Sequence, residues 1–299
     1  MTTRLAPAAT RLMLVLAAAW FAAGCDVTIG LDAAKFVDRD KRTFQVSGTP
    51  DLVLSTFDGS VEIRAWDRSE VSVEIEKRGA DKRQTDRIEV KATQSGNQIT
   101  VDVRAPERGR PHFGFNQSLS ARLIVSVPAQ ANVDARTGDG SISIERVTGK
   151  VQLNTGDGSL KVTETAGELR AHTGDGSLEL EHVDGSVDAD TGDGSVVLNG
   201  KLEGVRLKTG DGSVRLRADA GSRMAGDWDI HTGDGSITIE LPEEFDANLD
   251  AHTGDGGVAV RTISVKGEVS KNAVRGQLGN GGHSMRVSTG DGAITISRS

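Results

Sequence analysis

Apolar and polar residues alternate through most of the chain, in short runs separated by glycine. Around Thr155, for example, Val151 and Leu153 precede the threonine, and Leu160 and Val162 follow it. Apolar residues at every second position lie on one face of a β-strand. The pattern around each such threonine therefore predicts one strand before a turn and one strand after it. No stretch beyond Cys25 has a helical period. The pattern predicts an all-β fold.

The turn between the paired strands is the pentad TGDGS, and it recurs along the chain. Copies with this sequence, or with a change at its last position, begin at Thr137, Thr155, Thr173, Thr191, Thr209, Thr232, Thr253 and Thr289. The first five starts recur with a period of 18, the next two steps are 23 and 21, and the last is 36, twice 18. This predicts that one unit has lost its motif or been replaced by residues 270–284. A degenerate copy, TFDGS, begins at Thr56.

Each period thus contains a strand, the TGDG turn, a second strand and a second glycine turn, such as Ala166-Gly167. Two architectures accommodate this unit. In an antiparallel meander each unit is a hairpin. In a β-solenoid each unit is one coil, and identical residues of successive coils stack in parallel about 4.8 Å apart. Because the repeat positions hold the same residues, we expect a β-helix-like solenoid of 18-residue coils with TGDGS turns. Trp228 and the few phenylalanines are expected where the period breaks.

Residues 1–24 are typical of a secretory signal. Arg4 and Arg11 supply positive charge, and residues 12–23 form an apolar run that is too short for a membrane-spanning helix of about 20 residues. The sequence AAGC, which ends at Cys25, resembles the lipobox of bacterial lipoproteins, although Ala22 replaces the commoner leucine.

Cys25 is therefore predicted to be acylated and to become the mature N-terminus. The alternative is an ordinary secretory signal with a free or buried thiol. Lipidation would anchor the protein to a membrane outside the cytoplasm, and Asp26, by analogy with enterobacterial sorting, suggests the inner membrane. The predicted organisation is a signal at 1–24, a tether at 25–43 and a solenoid at 44–299.

Composition narrows the possible functions. The chain has 299 residues, a net charge of −8, a single cysteine, 37 glycines and 3% aromatic residues. The acidic balance does not favour nucleic-acid binding, and one cysteine excludes a disulfide framework within the chain. With so few aromatic residues, the core must consist of small aliphatic side chains, which argues against a typical enzyme core.

The chain resembles the bacterial DUF4097-type putative-adhesin family of β-strand-repeat envelope proteins. The resemblance rests on FQVSGTPDLVLSTFDGSVEIRAWD at 44–67, on LIVSVP at 123–128 and on the TGDGS turns that follow. It implies a β-helical fold and an envelope protein of the adhesin-like type. Residues 107–118 depart from the pattern and are interpreted as an inserted loop.

The aspartates of the turns are candidate calcium ligands. They are Asp139, Asp157, Asp175, Asp193, Asp211, Asp234, Asp255 and Asp291. Stacked carboxylates repel each other, and Ca²⁺ would relieve the repulsion. The motif recurs only once in each coil, however, so we favour the alternative that each aspartate hydrogen-bonds its own turn while the glycines take positive φ. No metal or other cofactor is predicted.

Histidines precede three of the turns, at His172, His231 and His252. Consecutive coils would make His231 and His252 neighbours, close enough to share a metal. Other residues at this position, such as Arg136 and Lys208, indicate a solvent-facing corner instead. The serines after the turns have no recurring histidine partner, so no catalytic residue is predicted.

The sequence thus predicts a non-enzymatic, lipid-anchored envelope protein. Its repetitive solenoid surface would serve in binding, adhesion, or structural or sensory roles, with a protein or glycan of the envelope as partner. The alternative is a β-helical polysaccharide-active enzyme whose site lies near residues 107–118 or 270–284. A deep acidic groove beside either segment would favour the enzyme.

Overall fold

The computed structural model describes residues 36–106 and 119–298. Cys25, the predicted signal and the predicted loop at 107–118 lie outside these residues. The described part forms 22 strands and one four-residue helix, α1 (Lys82–Thr85), which Asp81 caps. None of its helices is long or apolar enough to cross a bilayer. The all-β prediction is confirmed, with α1 as the departure from the expectation of no helix.

The strands are β1 (Phe36–Gln45), β2 (Asp51–Thr56), β3 (Val61–Trp66), β4 (Glu70–Gly79), β5 (Glu89–Ser95), β6 (Gln98–Arg104), β7 (Ser120–Pro128), β8 (Asn132–Thr137), β9 (Ile142–Glu145), β10 (Thr148–Thr155), β11 (Leu160–Thr173), β12 (Leu178–Thr191), β13 (Val196–Thr209), β14 (Val214–Ala218), β15 (Trp228–Thr232), β16 (Ile237–Leu241), β17 (Ala247–Thr253), β18 (Val258–Arg261), β19 (Val265–Val269), β20 (Ala273–Leu278), β21 (Ser284–Thr289) and β22 (Ile294–Arg298).

Successive repeats stack in parallel and in register. Thr155 pairs with Thr137 on one side and with Thr173 on the other, and Leu160 pairs with Ile142. This pairing confirms the solenoid and excludes the meander, in which the strands of successive hairpins would be antiparallel. We call the stack of strands that run into the TGDG turns face 1 and the stack of strands that leave them face 2.

A buried column of threonines ties the turns together. In spatial order it contains Thr56, Thr137, Thr155, Thr173, Thr191, Thr209, Thr232, Thr289 and Thr253. After Thr56, every hydroxyl donates to the carbonyl of the second glycine in the neighbouring turn at 2.8 Å. Because a buried hydroxyl needs such a partner, each bond specifies the position of one turn relative to the next.

The glycines of these turns are required mainly by the stacking. A Cβ at Gly158 would overlap the carbonyl of Gly140 in the neighbouring coil, and the same clash recurs from turn to turn. Among the described turn glycines, only Gly59 and Gly256 have a φ in the left-handed range. The expectation of positive φ is therefore wrong for most of these turns, because close approach between coils imposes the glycine instead.

In three of the coils the second corner is a bend within a continuous strand. β11, β12 and β13 each run for 14 residues and carry the chain from face 2 back to face 1. In β11 the bend contains Glu164 at φ 52° and Gly167 at φ 117°. The glycine at this predicted corner is thus the residue type that a left-handed backbone favours.

The core is a single aliphatic column inside the coils. Alternate residues of both faces point inward and are buried, as Leu153 and Leu160 are. The fully buried Trp228 lies where the period first lengthens, between the turns at Thr209 and Thr232. Its ring centroid is 5.1 Å from that of Phe245 in the next long connection. These two aromatic rings fill the wider coils, as the sequence predicts.

Two coils lie out of sequence order. On face 1 the spatial order is β6, β2, β8, β10, β11, β12, β13, β15, β21, β17. The coil of β2 and β3 thus lies between later strands, and the C-terminal coil of β21 and β22 lies between β15–β16 and β17–β18. The long step from Thr253 to Thr289 is therefore not a stack of two units. The chain forms β19 and β20 at the end of the solenoid and returns inward.

Antiparallel strands cover the ends of the stack. On face 1, β5 pairs with β6 at one end, and β20 pairs with β17 and β19 at the other. On face 2, β4 pairs with β7, and β1 pairs with β4. β1 begins at Phe36, inside the segment 25–43 that the sequence assigns to a tether, because backbone pairing with β4 orders this strand without a regular apolar period.

We predict that the solenoid tolerates removal of one whole coil. Deleting residues 155–172 joins Asn154 to Thr173 in register, although it places Glu145 beside Glu181. The variant should stay folded, with modestly reduced stability in circular dichroism melts. Deleting residues 155–163 removes one strand and leaves its neighbours unpaired, so this shorter deletion should unfold. Two equally unfolded variants would contradict the independence of the coils.

Candidate binding surface

The outward side chains of face 1 form columns along the solenoid. Alternate residues of each strand point outward, and the parallel register places them over their equivalents, about 4.8 Å away in the next coil. Lys150, Gln152 and Asn154 of β10, for example, align with Glu168, Arg170 and His172 of β11. The fold therefore presents a regular array of charged and amide groups on a rigid support.

A shallow groove crosses this array near the N-terminal end. It spans β2, β8, β10 and β11, has a volume of about 290 Å³, and is lined by outward groups that include Asp51, Asn132, Asp134, Lys150, Gln152 and Arg170. A second depression of about 180 Å³ continues across β11, β12 and β13 and shares Glu168 and Arg170 with the first. Ser186 and Gly204 leave little side-chain bulk there. The two depressions adjoin at Glu168 and Arg170, and we call them together the channel.

Hydrogen bonds between neighbouring side chains order the groups in this channel. Asn132 Nδ2 donates to Asp51 Oδ1 at 2.8 Å, and Asn132 Oδ1 accepts from the backbone N–H of Lys150 at 3.0 Å. Arg170 donates to Glu168 at 2.7 Å along the same strand. Side chains that are already ordered lose less entropy when a ligand binds, so the channel is preorganised for polar contacts.

The turn aspartates form an exposed ridge along one edge of the solenoid. All eight, Asp139, Asp157, Asp175, Asp193, Asp211, Asp234, Asp255 and Asp291, are exposed. Among the described residues, none of these carboxylates receives a hydrogen bond or contacts a basic side chain, so the expected bond from each aspartate to its own turn is not formed. The described residues contain no group of three or more histidine, cysteine, aspartate or glutamate side chains that could hold a metal ion.

The histidine column differs from the one that the sequence predicts. His231 and His252 are not neighbours, because the C-terminal coil places Ser288 between them. His231 Nδ1 lies 2.9 Å from Ser288 Oγ, and His172 Nδ1 lies 3.4 Å from Asp190 Oδ1. The prediction that His231 and His252 lie close enough to share a metal is wrong, since it assumed that sequence order is spatial order.

A cleft of about 660 Å³ lies at the C-terminal end, beside part of the 270–284 segment. Glu243, Glu244 and Asp246 line it together with Lys266 and Arg298. The backbone N–H and the side-chain amide of Asn280 hold the pKa of Asp246 below its usual value. Glu243 lies 3.7 Å from Arg298. A general acid at neutral pH needs a raised pKa, so Asp246 serves as a loop-ordering carboxylate here.

The channel on face 1 was not predicted from the sequence. It brings Asp51 beside Asn132, residues that are 81 positions apart, and this contact depends on the inserted coil of β2 and β3. The small residues Ser186 and Gly204 at outward positions were the one available signal. The predicted lipid site, Cys25, and the predicted loop at 107–118 lie outside the described residues.

Comparison with known proteins finds one family match. The Toastrack DUF4097 family model matches residues 50–297. Similar solved structures include a putative cell adhesion protein from Clostridium sporogenes, with 15% identity, coverage of 88% of this chain and 100% of that chain, and a TM-score of 0.29. A putative lipid binding protein from Parabacteroides distasonis has 11% identity, covers 86% and 96%, and has a TM-score of 0.41. No curated protein sequence matches this chain.

We predict that the aspartate ridge lowers the stability of the solenoid. Replacing both Asp157→Asn and Asp175→Asn removes repulsion between stacked carboxylates and should raise the melting temperature by roughly 2 °C at low salt. The gain should vanish in 1 M salt, where the Debye length is about 3 Å.

The control is Asp188→Asn, because this aspartate pairs in register with Arg170 and Arg206 and its neutralisation should not stabilise the protein. Calcium should change the melting temperature of the unaltered protein little. A large calcium-dependent rise that the double variant loses would establish a metal site at the ridge instead.

Proposed function

The chain belongs to the Toastrack DUF4097 family, and we propose that it is a non-enzymatic binding protein of the cell envelope. The channel along face 1 would be its binding surface, and an elongated polar polymer, either a glycan strand or an extended polypeptide of the envelope, would be its partner. The observation that carries this proposal is that two polar depressions, one across β2, β8, β10 and β11 and the other across β11, β12 and β13, adjoin at Glu168 and Arg170.

The chemistry of the channel fits such a partner. Asp51 and Asp134 accept hydrogen bonds, Lys150 and Arg170 donate them, and the amide of Gln152 can do both. The coils place these groups at a regular spacing, although their chemistry changes from coil to coil, so a long ligand would meet hydrogen-bonding groups at successive steps. The aliphatic core beneath the strands keeps this spacing constant, which favours a partner that is itself extended and regular.

The alternative is a polysaccharide-active enzyme, with the C-terminal cleft as its site. Of the three carboxylates that line the cleft, Asp246 is bound to Asn280 and has a lowered pKa. Glu243 lies 3.7 Å from the Arg298 guanidinium. Hydrolysis of glycosides needs one carboxylic acid that stays protonated near neutral pH. The binding role therefore has more support than the catalytic one.

We propose that Cys25 carries a lipid anchor that places the solenoid on a membrane outside the cytoplasm. The support is the apolar run at 12–23 followed by AAGC. An acyl anchor alone binds a membrane reversibly unless a second chain is added, so the diacylated cysteine of lipoproteins would provide stable attachment. The surface of the solenoid would then act close to the membrane.

The binding role predicts that charge reversal in the channel weakens binding. The full-length chain with Cys25→Ser would be tested for co-sedimentation with purified envelope glycan and, separately, with envelope proteins. Lys150→Glu combined with Arg170→Glu should weaken binding to one of these partners by roughly tenfold. The matched control, Arg215→Glu with Arg217→Glu, reverses two exposed cations on face 2. Equal loss in both variants, or no loss in either, would exclude the channel as the binding surface.

The anchor predicts that Cys25→Ser abolishes acylation, because the thiol is modified before the signal is cleaved. Cells that express either form would be labelled with a fatty acid, and the purified chains would be compared. The unaltered protein should carry label, and the variant should carry none. Equal labelling of both would show that Cys25 is not the acylated residue.

A further inference from the structure

The central outward column of face 1 alternates in charge along the solenoid. In spatial order it contains Arg170, Asp188, Arg206, Asp229, Arg286, Asp250 and Arg275. At the last step Arg275 Nε donates to Asp250 Oδ1 at 3.0 Å. Every charge in this column thus has a register neighbour of the opposite sign, although among these described residues only Arg275 and Asp250 approach within 4 Å. Opposite charges on adjacent strands are favourable.

This alternation exists only because the C-terminal coil lies out of sequence order. If β17 followed β15 directly, Asp229 would adjoin Asp250. The neighbouring column would then place His231 beside His252, where Ser288 now separates them. Like charges on directly opposite residues are destabilising. The observed order removes the Asp–Asp neighbours and gives His231 a hydroxyl partner.

The inward side chains of the two coils are of the same apolar type. Both coils enter the turn with apolar inward side chains, Met285 and Val287 in β21 and Leu249 and Ala251 in β17. Both also carry the threonine and glycines that stack on β15. The two coils differ in charge at their outward positions, with Arg286 in β21 and Asp250 in β17, so these side chains are the ones that could select the order.

The other displaced coil also lies between oppositely charged neighbours, and here the side chains are in direct contact. Between β7 and β9, Glu62 of β3 accepts from Arg122 Nη2 with both oxygens, at 2.6 and 2.7 Å. Arg64 Nε of β3 lies 3.6 Å from Glu145 Oε2 on its opposite side. At both ends of the solenoid, therefore, a coil that is out of sequence order has oppositely charged neighbours on both sides.

We propose that charge complementarity selects the position of the C-terminal coil: the slot between Asp229 and Asp250 is a binding site for the strand of this chain that carries Arg286. Residues 284–298 are its occupant. The order of the last coils is thus encoded on the surface of face 1, whereas connectivity determines the order of the coils from β8 to β15.

Disulfide trapping distinguishes the two orders. In a Cys25→Ser background, His231→Cys with Ser288→Cys should form a disulfide, because register neighbours on adjacent strands lie within the range that a disulfide spans. His231→Cys with His252→Cys should not, because these positions are two strand spacings apart, beyond the limit of about 7 Å. Peptide mapping under non-reducing conditions measures both products.

The decisive variant exchanges the charges of the two coils, Asp250→Arg with Arg286→Asp, at constant net charge. In this variant the charges of the column alternate only if β17 lies directly beside β15, as it would in sequence order. The ratio of the 231–288 disulfide to the 231–252 disulfide should therefore fall by roughly tenfold or more relative to the parent. The control exchanges Asp188→Arg with Arg206→Asp, which creates the same number of like-charged neighbours, beside Arg170 and beside Asp229, between coils whose order the chain determines. This control should keep the 231–288 product.

An exchanged variant that still forms the 231–288 product as efficiently as the parent would overturn the proposal. If the exchanged variant does not fold, Arg286→Ala is the second test, because it removes the positive charge that the proposal requires without adding repulsion. A rise in the 231–252 product above the parent level would support the proposal. An unchanged pattern of products would refute it.

Discussion

The hydrogen bond from each turn threonine to a glycine carbonyl of the neighbouring coil sets the geometry of this solenoid. It joins a buried hydroxyl to a backbone oxygen at 2.8 Å in turn after turn, as between Thr173 and Gly158. A shift of one coil against the next would leave a buried donor without a partner. Glycine follows from the same constraint, because any Cβ at Gly158 would occupy the space of the carbonyl of Gly140.

Because the interior specifies register and spacing, the outward positions are free to carry other chemistry. On face 1 they form the polar channel, in which small residues such as Ser186 and Gly204 leave space between longer side chains. At the turns they form a row of carboxylates without partners among the described residues. One regular interior can thus support different outward side chains, which suits the proposed role in binding.

The ends of the stack need a different solution, since a parallel solenoid leaves unpaired strand edges at its first and last coils. Here antiparallel strands cover them, with β5 and β1 at one end and β20 and β19 on face 1 at the other. The chain also returns from its caps to the interior of the stack. Its last strand, β22, has a partner on both sides, so the C-terminal coil is not the exposed coil of the array.

The sequence by itself determined the strands, turns and inward residues of the TGDG repeats, and it favoured parallel stacking over a meander. Those features depend on a period of two and on repeats whose identical residues favour each other as neighbours. Only the tertiary structure decided which coils are adjacent at the ends, because strands that share one inward pattern can stack in more than one order. That ambiguity explains why His231 and His252 were expected side by side and why the contact of Asp51 with Asn132 was missed. Adjacency between coils is a long-range property, and outward charges rather than local periodicity discriminate among the possible orders.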